Sequence, residues 1–139
     1  MRWKHRWSGA MSDVLQLMGL ALRARGLVAG EEVVADAVST HRARLLLVAE
    51  DAAEGTVRKA RNLSAGRLPV LTVPAGKEAI GGALGKGSCA VAAVLEGGFA
   101  ARIGALLAEQ NPEYQEIAAE LARKQAKRLR RKKEKPRKR

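Results

Sequence analysis

The stretch Leu27–Val38, LVAGEEVVADAV, decides the reading of this chain. A short apolar run meets Gly30, and the glycine opens an amphipathic helix. Val33, Val34, Ala37 and Val38 recur at helical spacing and so share one face. Glu31 and Glu32 stand in the first turn, where carboxylates suit the positive end of the helix dipole. Gly30 lets another backbone approach the helix start closely. Free backbone N–H groups at such a start can hold an anion or a base edge; on these residues alone, an ordinary helix start is the alternative.

Working outward, Ser12 and Asp13 offer an N-cap to a helix whose face is Val14, Leu17, Met18 and Ala21, and Gly26 stops it. Leu27–Ala29 is a short strand, and the helix after it ends near His41. Ala43–Ala49, ARLLLVA, is apolar nearly throughout, so both faces of this strand should be covered. Asp51 with Glu54 forms a capping signature for a third helix. Val57, Ala60 and Leu63 point inward from it, Arg58, Lys59 and Arg61 outward, and Gly66 ends it. Pro69 and Pro74 bracket a strand, Val70–Val73. Residues 76–84 read as a helix weakened by Gly76, Gly81 and Gly82. Gly85–Ser88 is a loop, and Cys89–Leu95 a second buried strand. Phe99, Ile103, Leu106 and Leu107 mark a fifth helix after the Gly97-Gly98 turn. Asn111-Pro112 breaks that helix and caps the next. Tyr114, Ile117, Ala118 and Leu121 follow at helical spacing, and Glu120 and Lys124 can pair one turn apart. Past Arg123 the sequence RKQAKRLRRKKEKPRKR should be helical at its start and disordered in free solution at its end.

The 139 residues make one domain with extensions. Aromatics are only 3% against 47% hydrophobic residues, so the core must be built from Val, Leu, Ile and Ala. No apolar run is long enough to span a membrane, and MRWKHRWSGA has no apolar segment behind its charges to make a secretory signal. A single cysteine, Cys89, excludes an internal disulfide framework and fits a reducing cytoplasm.

The net charge of +12 is uneven: +3 in residues 1–10, +1 in residues 11–111 and +8 in residues 112–139. This division sets the expected organisation: a basic N-terminal extension, a nearly neutral α/β body and a basic C-terminal helix and tail. Basic ends of this kind touch nucleic acid or another polyanion, or merely solubilise. Lys124, Lys127, Arg128, Arg130, Arg131, Lys132 and Lys133 are the candidate phosphate contacts of the tail. Trp3 and Trp7 either stack on bases, lie on an anionic surface or cover a hydrophobic patch, or the natural start is Met11.

No catalytic constellation assembles. His5 and His41 lack partners, Cys89 falls in a core strand where an inert thiol is expected, and the Cys/His spacing of a metal site is absent. No cofactor or metal is expected. Ile80–Ser88, IGGALGKGS, is not a phosphate-binding P-loop: Ile80 replaces the first glycine, Gly87 follows Lys86, and the loop leads from helix to strand. Two body elements are candidates to meet RNA. One is the helix start Gly30–Val33, where Glu31 or Glu32 can accept from guanine or cytosine N–H groups. The other is the loop of Gly85, Lys86, Gly87, Ser88, Cys89 and Ala90, whose small residues and one lysine can lie against a backbone. Arg42, Arg44 and the third helix either add phosphate contacts or are a solvated face.

The order of helix, GLVAGEE, LLLVAEDA, PV strand, IGGALGK and AVAAVL resembles the kink-turn RNA-binding ribosomal family, of the archaeal L-seven-Ae and L-thirty-e type, and most closely its bacterial YlxQ-type members. The likeness covers about residues 12–109. It implies an α/β/α sandwich, here a three-layer one around a small four-stranded mixed sheet, and binding of structured RNA in a ribosomal or other ribonucleoprotein context. Archaeal members carry Gly-x-Asn-Glu-x-x-Lys at the second helix. Gly30 matches the glycine, while Glu32, Val33 and Asp36 stand at the asparagine, glutamate and lysine positions. The family's second RNA loop corresponds to Gly85–Val91. The expectation is a non-catalytic RNA-binding protein of the cytoplasm whose partner is structured RNA, with the ribosome as a further candidate partner. The alternative is a protein-interaction module of the ribosome or transcription machinery in which only the tail contacts RNA.

Overall fold

A run that is apolar at every position can form a strand buried on both faces only if helices cover both. Leu45–Ala49 meets that condition in a computed structural model that describes residues 9–134. The elements in chain order are α1 (Gly9–Arg23), β1 (Leu27–Ala29), α2 (Glu31–Ser39), β2 (Leu45–Ala49), α3 (Glu54–Ser64), β3 (Val70–Val73), α4 (Lys77–Leu84), β4 (Val91–Val94), α5 (Gly97–Gln110) and α6 (Gln115–Glu134), with a 3-10 turn at Pro112–Tyr114. The expectations for Trp3, Trp7 and their basic neighbours, and for residues 135–139, lie outside the described residues.

The sheet has the order β1-β4-β2-β3. β2 and β3 are parallel, and β4 runs antiparallel to both β1 and β2. Leu45, Leu47 and Ala49 face a core shared with Val14, Met18, Ile80, Ile103 and Leu107 of α1, α4 and α5. Leu46 and Val48 face the opposite side, against Val34, Ala37, Val38 and Ala60 of α2 and α3. The chain is thus an α/β/α sandwich around a four-stranded mixed sheet.

Three local expectations are corrected. Ser12 and Asp13 do not cap α1, because the helix already runs from Gly9. Val33 does not join the buried face of α2: it is 44% exposed, while Val34, Ala37 and Val38 are buried. Asp51 does not cap α3, whose N-cap is Ala53 without a side-chain bond. Its Oδ1 instead accepts from the Lys77 backbone N at 2.8 Å and so holds the first turn of α4. The basic stretch past Arg123, expected to begin as helix, is helical to Glu134, and its expected disordered end lies outside the described residues.

The start of α6 is tied to the body. Asn111 accepts from the Glu113 N–H through its side chain. The Tyr114 hydroxyl accepts from the backbone N of Thr72, on the open edge of β3, at 3.0 Å. Leu121 is buried in the α1/α5 core, with Ile117 packed against it.

A candidate RNA interface at one end of the sheet

Gly30 has φ 115°, a conformation that L side chains rarely adopt. Its N–H donates to the Val91 carbonyl at 3.0 Å, while its own carbonyl accepts from Val34. The bond to Val91 seats the α2 start beside the first residue of β4. No side chain caps the first turn of α2, so its leading N–H groups stay available. The Ala49 N–H donates to Ala90 at 2.9 Å, which brings the end of β2 to the same edge. The two candidate elements therefore meet at one end of the sheet.

The loop before β4 is fixed on α4. Lys86 N bonds Gly81 O at 2.7 Å, Gly85 N bonds Gly82 O at 3.3 Å, and Cys89 N bonds Lys77 O at 2.9 Å. Gly85, Lys86, Gly87 and Ser88 are exposed and Ala90 is half-buried. Cys89 is different: its side chain is buried, its thiol donates to the Val91 carbonyl, and burial pushes the thiol pKa up. As a side chain it is removed from the interface, and only its backbone belongs to the loop.

Glu31 is occupied by the neighbouring helix. The Thr56 hydroxyl donates to it at 2.9 Å, and the Lys59 ammonium lies at 3.4 Å. The Thr56 hydrogen bond first, then the Lys59 charge, hold its carboxyl below the usual carboxylate range. Glu32 is exposed, and its carboxylate makes no ion pair with any described residue. Of the two first-turn carboxylates, it is the one free to accept from a base. Asp36 pairs with Arg42 at 3.2 Å, which offsets a negative charge that would face RNA. Exposed Val33 joins Glu32 on the open side of the helix start.

Sequence reasoning missed a cleft of about 420 Å³ between α2 and α3, lined by Glu31, Glu32, Thr56, Lys59, Asn62 and Val91 among others. The only signal was the i, i+3 spacing of Thr56 and Lys59 on a helix, which says nothing of a partner 25 residues away.

At the other end of the molecule, Lys124 pairs with Glu120 at 3.8 Å. Arg128 is half-buried and donates to the Gln125 side chain at 2.9 Å. Lys127, Arg130, Arg131, Lys132 and Lys133 are exposed along α6. Among the described residues, no group of His, Cys, Asp and Glu could hold a metal ion, and no helix is long and apolar enough to cross a membrane.

No protein-family model matches the chain. The RNA-binding protein YlxQ of Bacillus subtilis (strain 168) is 36% identical over 92 residues, which is 66% of this chain and 91% of that protein. The RNA-binding protein YlxQ of Enterococcus faecium is 36% identical over 56 residues, 40% of this chain and 54% of that protein. Among solved structures, a protein with unknown function from Bacillus halodurans superposes with a TM-score of 0.63 at 35% identity, over 68% of this chain and 95% of the other. The Giardia lamblia 15.5kD RNA binding protein superposes with a TM-score of 0.57 over 74% of this chain and 89% of the other; at 16% identity this is a likeness of fold. Because its similarity to the Bacillus subtilis protein extends over nearly that protein's whole length, the chain belongs to the YlxQ family.

Proposed function

We propose that this protein is a non-catalytic, cytoplasmic RNA-binding protein that reads structured RNA of the kink-turn kind. The names of its relatives supply RNA as the partner class. The observation that carries the finer reading is the Gly30–Val91 hydrogen bond, which sets the uncapped start of α2 beside the rigid 85–90 loop. Backbone N–H groups and Glu32 then face base edges, and Gly85–Ser88 lies along the backbone with Lys86 as its phosphate contact. Gly30, Glu32, Val33, Lys86, Gly87 and Ser88 do the contacting, while Glu31 and Asp36 hold neighbours in place. The exposed cations of α6 add salt-sensitive affinity for any phosphate backbone.

The test is calorimetric titration of the full chain against a kink-turn RNA and a straight duplex of equal length. Preference for the kink-turn, lost in Glu32→Ala and Lys86→Ala, is the expected result. Equal affinity in the wild type overturns the reading.

The near-neutral charge of residues 11–111 favours one second reading. In it, the body docks on a protein of the ribosome or transcription machinery and only α6 touches RNA. Retention of ribosomes by a chain with Glu32→Ala and Lys86→Ala and no kink-turn preference would support it.

A further inference from the structure

A second groove lies between α6 and the starts of β2 and β3. It encloses about 520 Å³, and its charged lining is Arg44, Arg67, Lys124, Arg128, Glu116 and Glu120. Four cations thus face two carboxylates, and Glu120 is already paired with Arg123 and Lys124. Arg44, Arg67 and Arg128 make no ion pair with any described residue. Two of these guanidiniums are nevertheless fixed in place. Arg44 Nε donates to the Leu95 carbonyl at 3.0 Å, and Arg128 donates to Gln125 from both Nε and Nη2. Both acceptors are neutral, so they orient the cations without cancelling them. Arg128 moreover lies over bare Gly97, where a Cβ would collide with it.

Of the four cations Arg128 is half-buried, and a like charge beside it is costly unless an anion joins them. Burial and the nearby Arg44 charge lower the pKa of Arg128, with Glu96 opposing only in part. Forked guanidinium donors suit phosphate oxygens. The exposed basic face of α6 continues the same positive field past the groove, through Lys127, Arg131 and their neighbours. Repeating charge along about 30 Å of helix matches a polyanion rather than one small anion.

We propose that this groove is a second RNA site, which holds the phosphodiester backbone of a duplex by charge and shape and without reading sequence. It sits at the starts of β2 and β3, opposite the edge formed by Gly30 and the 85–90 loop, and a strand length of roughly 15 Å separates the two. One molecule can therefore hold two RNA segments at once. The inference shares with the proposed function only the premise that the partner is RNA; it does not need kink-turn reading.

The test uses full-length chains and a straight RNA duplex at about 0.1 M salt. Arg67→Glu with Lys124→Glu changes charge as much as Arg23→Glu with Arg102→Glu, exposed positions on α1 and α5 outside the groove lining. The groove pair should lose about tenfold or more in duplex affinity and the control pair no more than about threefold. The milder Arg67→Gln with Lys124→Gln should give an intermediate loss, which guards against misfolding of the reversed-charge chain. A labelled kink-turn and a labelled duplex should also be brought together on one wild-type molecule, and the groove pair should abolish this while kink-turn binding persists. Equal losses in the groove and control pairs overturn the groove. Absence of kink-turn preference in the wild type, with duplex binding intact, fails the first reading and not this one.

Discussion

The α-carbon of Ser88 rests against the bare side of Gly81, 2.5 Å from where a Cβ on that glycine would stand. The obstacle is backbone, so neither partner can swing aside. Gly81→Ala should therefore cost about 1–3 kcal/mol by overpacking, despite the better helix propensity of alanine. It should also displace the loop and, under the proposed reading, weaken RNA binding. Gly82, one residue on, is exposed with nothing within 4 Å. Gly82→Ala should stabilise by about 0.5–1 kcal/mol. Thermal melts of the two variants, read side by side, separate packing from propensity.

Tyr114 closes the open edge of β3 through a hydroxyl that accepts from Thr72. Tyr114→Phe keeps the ring and leaves that half-buried N–H without its acceptor. Stability should fall by about 0.5–1.5 kcal/mol, and the Thr72 amide should exchange faster than its neighbours in β3. Unchanged exchange at Thr72 would mean that the edge is protected some other way.

The Glu31 carboxyl titrates below an ordinary glutamate because the Thr56 hydroxyl and the Lys59 ammonium favour its charged form. Its folded pKa is thus depressed relative to the unfolded chain. The tie between α2 and α3 is complete above the ordinary carboxylate range and is lost as pH falls through the lowered value. Carboxyl-carbon NMR should show the low midpoint. Thr56→Val and Lys59→Ala should each raise it, since the hydroxyl acts by its hydrogen bond and the ammonium by both charge and hydrogen bond. The stability change itself should be small, since the pair is exposed.

Cys89 should react slowly. Its buried thiol donates to Val91, and its pKa lies above that of a free cysteine. At pH 8 a thiol reagent should label the native chain at least about tenfold more slowly than the denatured one. Rapid labelling would place the side chain at the surface and return it to the interface.

The strands were the most legible part of the sequence. ARLLLVA and the run after Ser88 are apolar on both faces, and only a covered sheet accepts such segments. The pairing of Asp51 with Lys77 was not legible, because a capping carboxylate reads the same whether it serves the next helix or one 26 residues away. Val33 obeys helical spacing yet lies at the margin of the apolar stripe, and its exposure depends on how α2 leans on the sheet. The two candidate segments were visible as small, glycine-rich stretches, but their meeting at one edge depends on β4 entering beside β1. Tail charges were plain in the composition. That Arg128 folds back onto Gly97 and faces Arg44 is a tertiary fact, and no spacing in the tail announces it.

β4 is last in sequence and central in space, since it alone bridges β1 to β2. Until residues 91–94 arrive, β1 has no partner and the N–H of Gly30 has no Val91 carbonyl to meet. During synthesis the first two-thirds of the chain can collapse and pair β2 with β3, yet it holds no assembled candidate edge. Closure waits for pairings across long sequence separations, the slow class of folding event. A chain that ends before residue 91 therefore cannot assemble this edge, and under the proposed reading RNA recognition begins only when the sheet is complete.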